Sequence, residues 1–213
     1  MKLAHALEAY LGQRCLNYEL HPHQGETDLS KLCHELGIEP EQVAVPVMLQ
    51  TSKKATLMAV VPLSNQLDIN RLTALLQRDF TLMKPEDIPI WFNNDIEQGA
   101  EPPVPGPYGL PCIAYLNLMQ QQRIFMRSGS LDCLISMDAD SVQQLFSPYP
   151  KAVISNPAPA IQDTLEQEGR YPALISQLHE VLEKVHRLPA MPALAIIPIL
   201  TASMRTSSTR ASG

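Results

Sequence analysis

The sequence has no surplus of positive charge. Sixteen Lys and Arg stand against 22 Asp and Glu, a formal net charge of −6. A protein that grips duplex nucleic acid by broad phosphate neutralisation is basic overall or along one face. Broad DNA binding is therefore not expected, and any nucleic-acid contact must rest on a local site, such as a pocket for one chain end. The basic residues Lys53, Lys54, Arg71, Arg78, Lys84, Arg123 and Arg127 are scattered along the chain. Glycine is scarce as well, nine against 19 prolines, a ratio that favours rigid loops and abrupt segment ends. Cysteine is limited to Cys15, Cys33, Cys112 and Cys133, each in an apolar run and none in a Cys-x-x-Cys pair. That pattern fits reduced, buried thiols in a cytoplasmic protein rather than a disulfide framework. The longest apolar run, Met191 to Leu200, contains Pro192 and Pro198 and falls short of the ~20 residues needed to span a bilayer. Glu8 and Gln13 break the apolar pattern near the start, so neither a signal peptide nor a membrane association is expected.

What remains is an ordinary globular composition, 45% hydrophobic and 18% charged. Leu3, Leu7 and Leu11 share a face and predict a helix over Lys2 to Leu11, closed by Gly12. "LNYELHPH" (Leu16 to His23) suits a short strand, and Thr27 a helix cap before Leu29, Leu32, Cys33 and Leu36, with Gly37 as the stop. Val43, Val45, Val47 and Leu49 alternate as in a strand, although Pro46 interrupts them and would remove a ladder N–H. "ATLMAVV" (Ala55 to Val61) completes a hairpin through Thr51 to Lys54. A helix from about Asn70 to Gln77 would turn Leu72, Leu75 and Leu76 inward, and "IPIWF" (Ile88 to Phe92) reads as an edge strand. "GAEPPVPGPYGLP" (Gly99 to Pro111) holds five prolines and three glycines and is a stiff loop. Three strands follow, "CIAYLNL", "RIFM" and "LDCLISM", then a helix from Ser141 to Phe146. The expected domain spans 1–146, followed by a proline-rich linker over 147–165. A helix with Leu174, Leu178, Val181, Leu182 and Val185 on one face lies in 166–200, and 201–213 is expected to be disordered. There is no internal repeat. Helices segregate from short strands, so the fold class is α+β with a mixed sheet.

Chemistry is sparse. "HPH" (His21 to His23) offers two local ligands with no carboxylate or cysteine at metal spacing, so a surface loop is preferred to a metal site. Ser130 lacks the Gly-x-Ser-x-Gly elbow of a nucleophile. A turn offering backbone N–H groups is the better reading of Gly129 to Leu131. "GAEPP" (Gly99 to Pro103) could bring backbone close to a ligand and hold it there. No cofactor and no metal are called for.

The order of elements resembles the YbaK/ProX family of aminoacyl-tRNA deacylases, relatives of the editing insertion of bacterial prolyl-tRNA synthetase. The likeness runs from Leu3 to about Phe146 through "YELHPH", "EQVA", "LMAVVPLSNQLDINRL", "GAEPPVPGPYGLP" and "RIFMRSGSLDCLISMD". It implies a mixed sheet or barrel of short strands with flanking helices, and a pocket for an amino acid and the adenosine end of tRNA. It also implies a Gly-x-x-x-P loop, matched by Gly99 and Pro103, whose backbone N–H groups could stabilise an oxyanion. The implied pocket residues are Val45, Gly99, Ala100, Pro103, Tyr115, Gly129, Ser130 and Leu131. The chain departs from the family at three of them. Val45 stands where the family usually has a lysine important for activity, Tyr115 where it has an aspartate, and Leu131 where it often has a histidine. No catalytic residue is assigned, and weak or absent hydrolysis is expected. Partners would be a tRNA acceptor end or a small amino-acid-like ligand. "RLPAMPALAIIPIL" resembles the opening of an HDOD signalling domain, which implies the front part of a longer regulator and an alternative role as its sensory module.

Overall fold

The structure, a computed structural model, describes residues 3–158. The amphipathic helix expected around Val181, the apolar run from Met191 and the polar tail lie outside the described residues. In chain order the elements are α1 (His5–Gln13), β1 (Glu19–Pro22), α2 (Leu29–Leu36), β2 (Ala44–Gln50), β3 (Thr56–Pro62), β4 (Asn65–Leu67), α3 (Ile69–Leu76), β5 (Thr81–Leu82), β6 (Cys112–Tyr115), β7 (Arg123–Arg127), β8 (Cys133–Asp138), α4 (Ala139–Phe146), β9 (Lys151–Ala152) and β10 (Ser155–Pro157).

The strands form a five-stranded mixed sheet, β5-β2-β3-β6-β9, and a three-stranded antiparallel sheet, β1-β8-β7, with β4 and β10 paired separately. A parallel bridge between Val43 and Phe125 joins the two larger sheets. Alternation along each strand divides the core. Ala44, Met48, Met58, Val60, Ile124, Met126 and Ile135 face a central cluster closed by Leu7 and Leu11 of α1 and Leu145 and Phe146 of α4. Leu49, Ala59, Val61 and Ile113 face the other way, onto Leu72 of α3. Val43 and Leu134 meet Leu29, Leu32 and Cys33 of α2. Each such leucine, fully buried, contributes about 1.5–3 kcal/mol of transfer free energy. The expected α+β class with a mixed sheet is what the chain adopts.

Pro46 does not disturb its ladder. The Leu63 N–H donates to the Val43 carbonyl at 2.8 Å, and the Thr51 N–H to the Ala55 carbonyl at 2.9 Å. In the antiparallel register of β2 and β3, the odd-numbered residues of β2 therefore exchange hydrogen bonds with β3. Even-numbered Pro46, opposite Val60, turns its nitrogen away from β3, where β5 reaches only Leu49 and Gln50. Pro46 therefore costs the β2–β3 ladder no donor; its nitrogen faces the edge toward β7, where the parallel pairing is limited to the Val43–Phe125 bridge.

Other expectations shift for local reasons. α1 runs through Gly12 to Gln13. The cap of α2 is Asp28, not Thr27; its carboxylate accepts from the N–H groups of Ser30 (2.8 Å) and Lys31 (3.3 Å), while Gly37 closes the helix at φ 65°. Leu75 is exposed. "IPIWF" is not a strand: Pro89 opens a 3₁₀ turn over Pro89–Phe92, and Asn93 ends it in the left-handed region. "CIAYLNL" keeps strand geometry only to Tyr115 and then coils into a 3₁₀ turn over Leu116–Gln120. Cys15 is exposed at φ 52°, unlike the other three cysteines. The proline-rich stretch after Phe146 is tied to the sheets. β9 pairs with β6, β10 pairs with β4, and Ile154 between them is fully buried.

Candidate functional site

Two glycine turns meet beside the start of α1. Gly99 (φ 87°) and Gly129 (φ 96°) both take left-handed conformations. The Gly129 N–H donates to the Ala100 carbonyl at 3.0 Å, and the Glu97 N–H to the Gly129 carbonyl at 2.9 Å. Ala100, Pro103 and Ser130 are buried there, with Leu131 half-buried. A Cβ on Gly129 would lie 2.5 Å from the Ala4 Cβ and 3.1 Å from its nitrogen, so the close approach requires glycine.

The donors of these turns are occupied within the protein. Gly99 N–H donates to Glu101 Oε1 at 2.9 Å and Ala100 N–H to the Glu97 carbonyl at 3.0 Å. Ser130 N–H reaches Ser128 Oγ at 3.3 Å, and Leu131 N–H reaches Glu97 Oε2 at 2.6 Å. With Gly129 N–H on Ala100, all five have partners, and the Glu97 carboxylate takes the Leu131 donor. An oxyanion hole needs donors aimed at an empty position; these turns, as folded, provide none. The Ser130 hydroxyl lies 3.2 Å from Glu97 Oε2 and 2.8 Å from Asp132 Oδ1, a setting of acceptors without a histidine base.

Val45 and Tyr115 belong to the five-stranded sheet rather than to this network. Val45 pairs with Val61, is half-buried, and packs in the apolar clusters beneath α2 and α3. Tyr115 ends β6 opposite Ala152, with its hydroxyl 3.5 Å from Asn117 Nδ2. The structure thus brings Gly99, Ala100, Gly129, Ser130 and Leu131 together and holds Val45 and Tyr115 in strand positions.

Sequence reasoning counted Arg127 only among scattered basic residues. It is 2% exposed. Phe125 and Arg127 alternate onto the face of β7 beneath α2, and Arg127 stands opposite Leu134 of β8. Arg127 Nη2 donates to the carbonyls of Glu26 (3.0 Å) and Thr27 (2.8 Å), while Nε and Nη1 have no hydrogen-bond partner among the described residues. The His23 N–H donates to the Asp132 carbonyl at 2.9 Å; both ring nitrogens are buried without partners among the described residues. Burial, then the Arg127 charge, lowers the His23 pKa. Burial raises that of Glu101, against the opposing pull of the Gly99 N–H and of Arg127. The available signal in the sequence was an arginine ending the apolar run Ile124 to Met126 just before a glycine turn.

A shallow cavity of about 300 Å³ lies over the other end of α2, lined by His21, Gly37, Ile38, Arg123 and Phe125. Arg123 is paired with Glu19 at 2.6 Å. Among the described residues, no group of three His, Cys, Asp or Glu could hold a metal ion, and no helix is long and apolar enough to cross a membrane.

The sequence profile of the aminoacyl-tRNA editing domain matches residues 23–145, more than half of the chain. The chain belongs to the aminoacyl-tRNA editing domain family. No curated protein matches it. Among solved structures, a hypothetical protein is similar at 15% identity, covering 71% of this chain and 99% of its own, with a TM-score of 0.64. A candidate trans-editing enzyme for prolyl-tRNA synthetase is similar at 18% identity, covering 72% and 96%, with a TM-score of 0.60. A candidate signal-transduction protein from Marinobacter aquaeolei VT8 is similar at 16% identity and a TM-score of 0.60; the match covers 87% of this chain but 37% of that one. At these identities the structural likenesses establish the fold.

Proposed function

We propose that this editing domain receives the aminoacylated 3′ end of a tRNA and hydrolyses the ester weakly or not at all. The observation that carries the reading is the closed hydrogen-bond network of the two glycine turns, in which Glu97 occupies the Leu131 N–H. Family membership supports a pocket for an aminoacylated end. The apolar packing of Val45 supports the absence of a reactive amine on β2. Binding and turnover separate experimentally. In equilibrium filter binding, alanyl-tRNA(Pro) is expected to bind more tightly than uncharged tRNA(Pro). Equal affinity for the two would contradict recognition of the ester end.

A second reading is favoured by one observation. The signal-transduction protein from M. aquaeolei shares this fold over only part of its length. On that reading the domain is a catalytically silent sensory module of a longer signalling protein, in keeping with the HDOD-like "RLPAMPALAIIPIL". Equal, weak binding of charged and uncharged tRNA, together with affinity for a small ligand, would favour it.

A further inference from the structure

We propose that the buried guanidinium of Arg127 is a binding site for the carboxylate group of a small molecule. The cation is fixed rather than mobile: Nη2 is held by two backbone carbonyls immediately before the cap of α2. Those carbonyls satisfy one nitrogen and, among the described residues, leave Nε and Nη1 unpaired at 2% exposure. Among the described residues no carboxylate comes within ion-pair distance of it. A buried charge without a counter-ion is strongly unfavourable, and an anion that completes the guanidinium removes that cost with charge-assisted hydrogen bonds.

The surroundings select the class of anion. Both His23 ring nitrogens are buried, without partners among the described residues, and near enough to Arg127 to feel its charge. With its pKa lowered from 6.5, His23 is neutral at pH 7 and offers one donor and one acceptor without adding positive charge. Glu26, Glu35, Asp132 and Glu101 all act electrostatically on His23 or Arg127. The carboxyl groups around this single cation repel a phosphate dianion more strongly than a monoanion. A carboxylate has the single charge and the acceptor oxygens that such a site fits. The inference is independent of the tRNA reading, because it needs only the folded domain and not an aminoacyl ester.

The test uses the full chain labelled with nitrogen-15, and follows the Arg Nε–H resonances as sodium acetate, alanine, sodium phosphate or sodium chloride is added at pH 7. Saturable movement of the Arg127 resonance by acetate or alanine, at concentrations where chloride and phosphate leave it still, is the expected result. Acetate acting without alanine assigns a simple acid; alanine acting assigns an amino acid. Arg127→Gln should abolish the accompanying rise in melting temperature. As that variant can fail to fold, His23→Asn serves as the second: it should weaken the carboxylate at least several-fold with the fold intact. An Arg127 resonance that stays still, follows chloride, or follows phosphate alone would overturn the proposal and leave water or a non-selective ion as the partner.

Discussion

At the scale of the residue, the site is decided by a few contacts that composition cannot show. Gly129 was legible, because a glycine after an apolar strand marks a turn and its φ of 96° demands one. Gly129→Ala forces a side chain into the left-handed region and against Ala4. It should cost at least about 2 kcal/mol in chemical denaturation. Arg127 was not legible as a site residue, since period-two alternation identifies a face but not which backbone carbonyls will meet a charge there. The titrating groups give a directional prediction. His23 and His21 have pKa values lowered chiefly by burial, so the unfolded chain takes up protons first as pH falls through 6.5. Stability should therefore drop on acidification below that pH, and the drop should shrink in His23→Asn when urea midpoints are compared across pH. Glu101, with its pKa raised by burial, acts in the opposite sense. Its contribution is fully present below the ordinary carboxylate value and is lost as pH rises through the raised value, and Glu101→Gln should remove that loss.

At the scale of the element, β2 shows how far pattern reading carries. Its alternation, its hairpin with β3 and its place in the sheet followed from "VAVPVMLQ". The harmlessness of Pro46 did not, because it depends on which edge each N–H faces, a matter of register. "IPIWF" failed for the converse reason: its apolar residues suit a strand, but prolines at 85 and 89 each open a 3₁₀ turn. Two variants probe these elements. Asp28→Ala removes both N-terminal hydrogen bonds of α2 and should lower stability by about 1 kcal/mol, measured as a shift in urea midpoint. Val45→Lys puts a cation into the apolar packing beneath α2 and α3. It should destabilise by about 1–3 kcal/mol and should not create ester hydrolysis, because the turn donors remain occupied.

At the scale of the whole molecule, the four helices and most of the longer strands from α1 to α4 were readable, and with them the α+β class, while the short β4 and β5 were not. The closure of the sheets was not. β9 and β10 have two and three residues, lie in proline-rich sequence, and pair with strands far back in the chain. Composition there suggested a linker, whereas Ile154 is buried in the cluster with Leu72 and Val61. A chain ending at residue 146 should accordingly melt well below one ending at residue 160; loss of Ile154 packing alone is worth about 2–5 kcal/mol. The central claim is that an editing fold is present with its oxyanion donors occupied. The most direct measurement is single-turnover loss of the ester from labelled alanyl-tRNA(Pro), with protein in excess. The account predicts a rate within about tenfold of the uncatalysed one, a difference of at most about 1.4 kcal/mol in barrier. An acceleration of about a thousandfold or more, equivalent to about 4 kcal/mol, would contradict it.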